Sequence, residues 1–311
     1  MLIATRTSVY RLEDDGSCPP SLAFEGGGIR RVAEGSRVGI VALANGDVVL
    51  LQGEGLRRVA SGIAEPIESL MLLHESPIEL LIGTEAPHLY YLTEDGEPAR
   101  RNASFAALPV RPRWYTPWGG PAALRSLART NDGWVYADIH VGSIMRSEDR
   151  GTTWAPVTPG LHEDVHQVNT SPASDEIVYA NTFLAVYLSQ DRGRTWHHRA
   201  TDLGQRYGRA VVVHPKWPEV ALATVSDGPS GTDVHGQLYR TEDAGLTWAL
   251  AEGEFPRSTV RNIDTYHLAF SPDGTAWACV DRALYVSGDS GASWRRFWEA
   301  PERIAGIACR R

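Results

Sequence analysis

The sequence predicts an all-β chain folded as a seven-bladed β-propeller of four-stranded antiparallel blades, and three observations carry that prediction. One eight-residue pattern occurs four times: Ser147-Glu-Asp-Arg-Gly-Thr-Thr-Trp154, Ser189-Gln-Asp-Arg-Gly-Arg-Thr-Trp196, Thr241-Glu-Asp-Ala-Gly-Leu-Thr-Trp248 and Ser287-Gly-Asp-Ser-Gly-Ala-Ser-Trp294. The central acids of these copies, Asp149, Asp191, Asp243 and Asp289, lie 42, 52 and 46 residues apart, the spacing of a four-stranded blade. Seven such periods fill the 311 residues, with short apolar runs bounded by turn residues throughout.

Each copy follows a short apolar run and precedes another strand-like segment, so it reads as the hairpin turn between the third and fourth strands of a blade. The Asp caps backbone N–H groups, the Gly takes a positive φ, and Trp154, Trp196, Trp248 and Trp294 anchor the turns between strands. These residues are structural. Worn copies without the Trp stand upstream at 12–17, 51–55 and 92–97, and they assign blades one to three. The chain opens on Leu2-Ile-Ala-Thr5, which matches a second strand such as Ala276-Trp-Ala-Cys-Val280. It ends on Arg303-Ile-Ala-Gly-Ile-Ala-Cys309, which matches a first strand. One domain, 1–311, is therefore expected, with blade one shared between 1–27 and 303–311. The C-terminal inner strand closes the ring and leaves no open sheet edge. The longest irregular stretches, 105–121 and 226–236, read as surface loops.

Thirty basic against 38 acidic residues give a net charge of −8, which disfavours nucleic acid or an anionic membrane as partner. No segment has the length and apolarity of a transmembrane helix, and Met1 leads straight into strand-like sequence, so a cytoplasmic protein is expected. Three cysteines, Cys18, Cys279 and Cys309, show no metal-binding spacing and read as reduced thiols.

In a propeller the loops before each first strand and after each second strand share one face, opposite the repeated turns. Aligning the inner strands Leu124-Arg-Ser-Leu127, Val165-His-Gln-Val168, Gly208-Arg-Ala-Val211 and Thr265-Tyr-His-Leu268 puts Arg125, His166, Arg209 and Tyr266 in register. Arg30 and Glu68 fall at the same place in the earlier blades. A ring of Arg30, Glu68, Arg125, His166, Arg209 and Tyr266 pointing into the central funnel suits a carboxylate or phosphate, because guanidinium offers two-point hydrogen bonding and stays charged. A one-residue slip would turn any of them into a blade interface. Loops on the same face bring Trp114, Trp118, Tyr207, Arg261 and Asp264 to the rim. The expected proton carriers are His166, Tyr266 and Asp264. A divalent metal on His140, His166, His235 and His267, with Asp138 nearby, is the alternative, though none of these has a ligand spacing in sequence.

The repeated Ser/Thr-x-Asp-x-Gly-x-Ser/Thr-Trp string resembles the Asp-box, or BNR repeat, of sialidase-like β-propellers, a group holding sialidases, other glycosidases, the sortilin ectodomain and a photosystem assembly factor. By that resemblance Arg125, Arg209 and Arg30 would clamp a carboxylate, with Tyr266 as nucleophile and Glu68 beside it. The chain departs from the sialidase pattern: those enzymes have six blades, their Arg-Ile-Pro segment is absent, and no Glu stands near Tyr266 in sequence. Three functions stay open: binding, with hydrolysis or lysis, of a small anionic or carbohydrate-like molecule; a non-catalytic scaffold for a protein or peptide; and a metal-dependent hydrolase or lyase.

Overall fold

A computed structural model describes every residue except 14–17, 158, 232 and 311, so the worn turn expected at 12–17 lies largely outside the described residues. The chain forms seven antiparallel sheets arranged as a propeller. Blade one pairs Gly306–Ala308 with Leu2–Ala4, followed by Ser8–Arg11 and Ser21–Glu25, so the C-terminal inner strand closes the ring. Blades two to seven then follow in chain order, their inner strands being Ile29–Glu34, Ile67–Glu75, Leu124–Arg129, Val165–Thr170, Tyr207–Val213 and Leu268–Phe270. Blade seven carries one addition, the two-residue strand Glu252–Gly253, which runs parallel to Ser293–Glu299.

Apolar side chains collect at every blade interface, and strand alternation decides which interface each one fills. In blade two, Ile40, Ala42, Val48 and Leu50 pack toward blade three, while their neighbours Val41, Leu43, Val49 and Leu51 pack toward blade one. Both faces of the middle strands are thus buried, which is why they read as unbroken apolar runs. Polar rungs link consecutive blades through the same layers. Ser69 Oγ donates to the Leu124 carbonyl at 2.9 Å, Asn181 Nδ2 to the Ala210 carbonyl at 2.7 Å, and Thr224 Oγ1 to the Ile263 carbonyl at 2.7 Å.

The four repeated turns share one geometry. Asp149 Oδ1 accepts from Ser147 Oγ at 2.7 Å and from the Thr153 N–H at 2.8 Å, and Oδ2 accepts from Thr153 Oγ1 at 2.6 Å. Asp191, Asp243 and Asp289 repeat this set. The Gly takes positive φ as expected, and so does the residue before it: Arg150, Arg192, Ala244 and Ser290 have φ of 58 to 62°. The charged cap therefore holds two consecutive left-handed residues, only one of which is glycine. The four Trp rings are buried beneath.

The 105–121 stretch is less irregular than expected. It begins against a one-turn helix, Ala103–Ala106, capped by Asn102 Oδ1, which accepts from the Phe105 N–H at 2.8 Å. Asn102 Nδ2 also donates to the Gly151 carbonyl at 2.7 Å, tying this helix to the turn of blade four. No helix among the described residues is long and apolar enough to cross a membrane.

Candidate functional site

The funnel residues owe their direction to bulges. Strand register slips between Ile29 and Arg31, Ile67 and Ser69, Leu124 and Ser126, Val165 and Gln167, and Gly208 and Val211. The residues left over are Arg30, Glu68, Arg125, His166 and, with Ala210, Arg209. A bulge inserts a residue with no partner across the ladder and lets its side chain leave the alternation. The first strands of five blades thereby deliver one polar side chain each toward the axis.

Blade seven does something else. Before its inner strand, the segment Asp264-Thr265-Tyr266-His267 makes a turn in which the His267 N–H donates to the Asp264 carbonyl at 2.9 Å, and Tyr266 takes φ 67°. Thr265 Oγ1 donates to the His166 carbonyl of blade five at 2.9 Å, and the Tyr266 hydroxyl donates to the Arg125 carbonyl of blade four at 3.0 Å. The segment thus spans the axis and floors the funnel. The Arg31 guanidinium lies 5.4 Å from the Tyr266 ring.

Above this floor is a cavity of about 380 Å³ whose charged lining is Arg6, Arg31, Arg125 and Arg303 with Glu68 and Asp264. Glu68 bonds Arg30 through one oxygen and Arg31 Nη2, at 2.6 Å, through the other. Asp264 holds Arg209 Nη2 at 3.0 Å and Arg125 Nη2 at 3.8 Å. Burial works to raise the Asp264 carboxyl, but Arg209 and Arg125 outweigh it and keep it ionised far below the usual carboxylate range. Arg6 and Arg303 are exposed at the rim. Arg6 has no ion-pair partner among the described residues, and Arg303 reaches only Asp281, at 3.8 Å. His267 Nδ1 accepts from the Asp264 N–H at 2.9 Å, and burial pushes this ring's pKa down to about 4.

Beside the cavity a run of rings follows the rim. Trp118 stands 5.3 Å from His140, His140 5.7 Å from His166, His166 4.8 Å from Tyr207, and Tyr207 5.7 Å from Phe183. Trp118 is 63% and Phe183 46% exposed, whereas His166 is wholly buried. Burial and the Arg125 charge drive His140 down to about 3, and the same causes lower His166, so both rings are neutral. Asp164 lies between them, 3.1 Å from His166 Nε2 and 3.7 Å from His140 Nε2.

The structure gathers Arg30, Glu68, Arg125, His166, Arg209, Tyr207 and Asp264 around the funnel. It sets other expected residues apart. The Tyr266 hydroxyl is committed to a backbone carbonyl, and burial raises its pKa, so it holds no nucleophile position. Asp264 is committed to two guanidiniums and carries no proton to give. Trp114 packs on Phe105 and under the Arg111 guanidinium rather than facing the funnel, leaving Trp118 as the exposed ring. Arg261 is exposed and lies 4.0 Å from Asp281. Of the histidines named for a metal, His140 and His166 meet. His235 instead pairs with Asp227 at the surface, and His267 bonds the Asp264 backbone. Arg31, Asp164, Arg6 and Arg303 were not singled out from sequence. A signal for Asp164 exists: Asp164, Tyr207 and Asp264 each stand two residues before a ring position.

Fold and site together define a β-propeller with a guanidinium-rich funnel that opens on one face and is floored at the axis. Among known proteins, the family model described as sortilin, neurotensin receptor 3, matches residues 142–258, a segment that holds three of the four repeated turns. The xyloglucanase Xgh74A of Acetivibrio thermocellus is 23% identical over 180 residues, covering 50% of this chain and 20% of that protein. The chain thus spans about a fifth of the length of this relative. Among solved structures, the GH74 xyloglucanase of Xanthomonas campestris superimposes with a TM-score of 0.71 at 17% identity, over 96% of this chain and 52% of that one. YCF48 bound to D1 peptide gives 0.58 at 16%, over 95% and 84%. At these identities the structural likeness shows the propeller fold.

Proposed function

We propose that the funnel binds a small carboxylate-bearing, carbohydrate-like molecule. The observation that carries this reading is the charge of the cavity: four guanidiniums against two carboxylates line about 380 Å³ in a chain whose net charge is −8. A cation-lined concavity with low-dielectric walls focuses field and draws anions. Glu68 and Asp264 occupy Arg31 and Arg125, so the first contacts for an incoming carboxylate are Arg6 and Arg303 at the rim. The exposed ring of Trp118, next to His140, offers a stacking surface for a sugar face. The cations lining the cavity are not the clamp that the resemblance to sialidase-like propellers implies: Arg30 and Arg209, paired to Glu68 and Asp264, lie outside its lining, only Arg125 of that set lines it, and the expected nucleophile Tyr266 is bonded to backbone.

A second reading, capture of a peptide, is favoured by the aromatic rim of Trp118 and Phe183 and by the same cations, which suit a terminal carboxylate. Calorimetric titration with a uronic-acid oligosaccharide, its neutral counterpart and a short acidic peptide separates the two. The uronate is expected to bind at least tenfold tighter than the neutral sugar, with that preference lost in Arg6→Ser/Arg303→Ser, since each charge-assisted hydrogen bond is worth about 1.5–3 kcal/mol. Equal affinity for charged and neutral sugars would overturn the anion reading, and a peptide that outcompetes the sugar would replace the first reading with the second.

A further inference from the structure

His140, Asp164 and His166 sit at the edge of the funnel with their donor atoms turned toward one another, all within 4.8 Å. The Gly208 carbonyl, 2.5 Å from His166 Nδ1, can only accept, so Nδ1 carries the proton and Nε2 turns a lone pair toward Asp164 Oδ1, 3.1 Å away. Two acceptors at that distance repel unless something positive lies between them. The Tyr207 hydroxyl, 3.3 Å from Nε2, offers a donor to His166 alone. Asp164 Oδ1 and His140 Nε2 are both buried and have no hydrogen-bond partner among the described residues, at an unusual cost for groups of this polarity. A proton on His140 Nε2 would have to reach Asp164 Oδ1 across 3.7 Å, beyond hydrogen-bond range, and would leave Asp164 Oδ1 and His166 Nε2 facing each other at 3.1 Å, whereas a cation between the three meets them all.

The geometry suits such an ion. A metal about 2.0–2.1 Å from each ligand sets neighbouring donors roughly 3 Å apart, close to the 3.1 and 3.7 Å found around Asp164 Oδ1. Imidazole held through its other nitrogen by a backbone carbonyl is the usual support of a metal-ligating histidine. Asp164 is fixed by its own backbone, its N–H donating to His162 Nδ1 at 3.1 Å and its carbonyl accepting from the Phe183 N–H at 2.9 Å. The nearest cations, Arg125 and Arg209, share the single carboxylate of Asp264, which balances one of their two charges, and the Asp164 carboxylate supplies the negative charge at the site itself. Two neutral nitrogens and one carboxylate select a first-row transition ion over calcium or magnesium.

We propose that His140, Asp164 and His166 are the three protein ligands of a divalent first-row transition-metal ion, with its open coordination positions beside Tyr207 and Trp118. This site is independent of the anion reading, because metal binding is measured without any organic ligand. Protein purified without chelator or metal-affinity tag is titrated with Zn²⁺ by calorimetry and with Co²⁺ by visible absorption. One ion per chain is expected, with affinity at least tenfold weaker in Asp164→Asn and His140→Gln and unchanged in His235→Ala, which removes an exposed histidine away from the site. Circular dichroism and melting curves confirm that each variant is folded. Should His140→Gln fail that check, Asp164→Asn and the nitrogen coordination seen in the X-ray absorption spectrum of the Co²⁺ wild type decide the matter. Absence of saturable binding, or binding that survives Asp164→Asn and vanishes in His235→Ala, would overturn the proposal.

Discussion

His267 makes the pH behaviour of this propeller calculable. Its ring is buried, its Nδ1 accepts from the Asp264 N–H, and burial holds its pKa near 4 against an ordinary 6.5. Between those values the unfolded chain carries a proton on this ring that the folded chain does not. Stability contributed by the neutral ring is therefore complete above about pH 6.5 and is lost as pH falls toward 4, at about 1.4 kcal/mol per pH unit, or about 3 kcal/mol across the window. Asp264 does not interfere, because its depressed pKa keeps it ionised in the folded state throughout and its stabilisation fades only at lower pH. His140 and His166, also held neutral, add slopes of the same sign to wild type and variant alike and cancel in the difference. His267→Asn keeps an acceptor, Oδ1, near the place of Nδ1 and removes the titration. Urea unfolding followed by tryptophan fluorescence at pH 7 and pH 4 should show the variant losing about 3 kcal/mol less stability than wild type. Parallel losses in the two proteins would mean that the folded ring titrates normally, and the account of a desolvated, neutral His267 would be wrong.

Three further outcomes are expected. Asp243→Ala removes the acceptor of the Thr241 hydroxyl and of the Thr247 N–H and hydroxyl. It should lower stability by about 1–3 kcal/mol in denaturant titrations while leaving ligand affinity unchanged, because these groups are on the face opposite the funnel. Tyr266→Phe should cost only about 1 kcal/mol in the same titration and leave funnel binding intact, as the loss of one hydrogen bond to the Arg125 carbonyl; a variant of normal stability that no longer binds would return Tyr266 to the chemistry. Ending the chain at Ala300 removes buried Ile304 and Ile307 and bares the edge of Leu2–Ala4. Calorimetry should then show no cooperative transition, and a native-like melt would show that blade one closes without its inner strand.

Much of the fold was legible because the repeated turn is a local device. Asp, Gly and a hydroxyl residue at fixed offsets specify the turn by hydrogen bonds within the turn itself, and their spacing in the chain counts the blades. The ring was legible for a less direct reason. Aligning the starts of the inner strands picked out Arg125, His166 and Arg209 as equivalent, and they proved equivalent because each sits at a bulge, which sequence alternation alone does not reveal. Where contacts are tertiary the sequence was silent. Nothing local says that Tyr266 would take a positive φ and reach across the axis to Arg125, or that Trp114 would pack on Phe105 while Trp118 stayed exposed. Asp164 is marked in the sequence only by standing two residues before a ring position, as Tyr207 and Asp264 do, and only the fold sets it between two histidines. Strand alignment points to Arg30 alone, whereas the register slip between Ile29 and Arg31 lets both arginines reach Glu68.

The axial floor also bears on how a ligand can approach. A propeller channel open at both ends would give a ligand two routes and water a through-path, so charge at its centre would be screened. Here Thr265 and Tyr266 bond to the far side of the ring, and the guanidinium-lined cavity lies on one side of them. A second cavity, of about 460 Å³, borders Tyr266 together with Glu75, Arg129 and Cys309. Entry to the guanidinium site is thereby confined to the face that carries Arg6, Arg303 and Trp118, and the repeated turns are left on the other face, where their form answers to structure alone. The division explains why the strongest pattern in the sequence is silent about activity. It fixes the pitch of the blades, while the chemistry is set by single residues at the opposite ends of the same strands, where a bulge or a turn suffices to change what points inward.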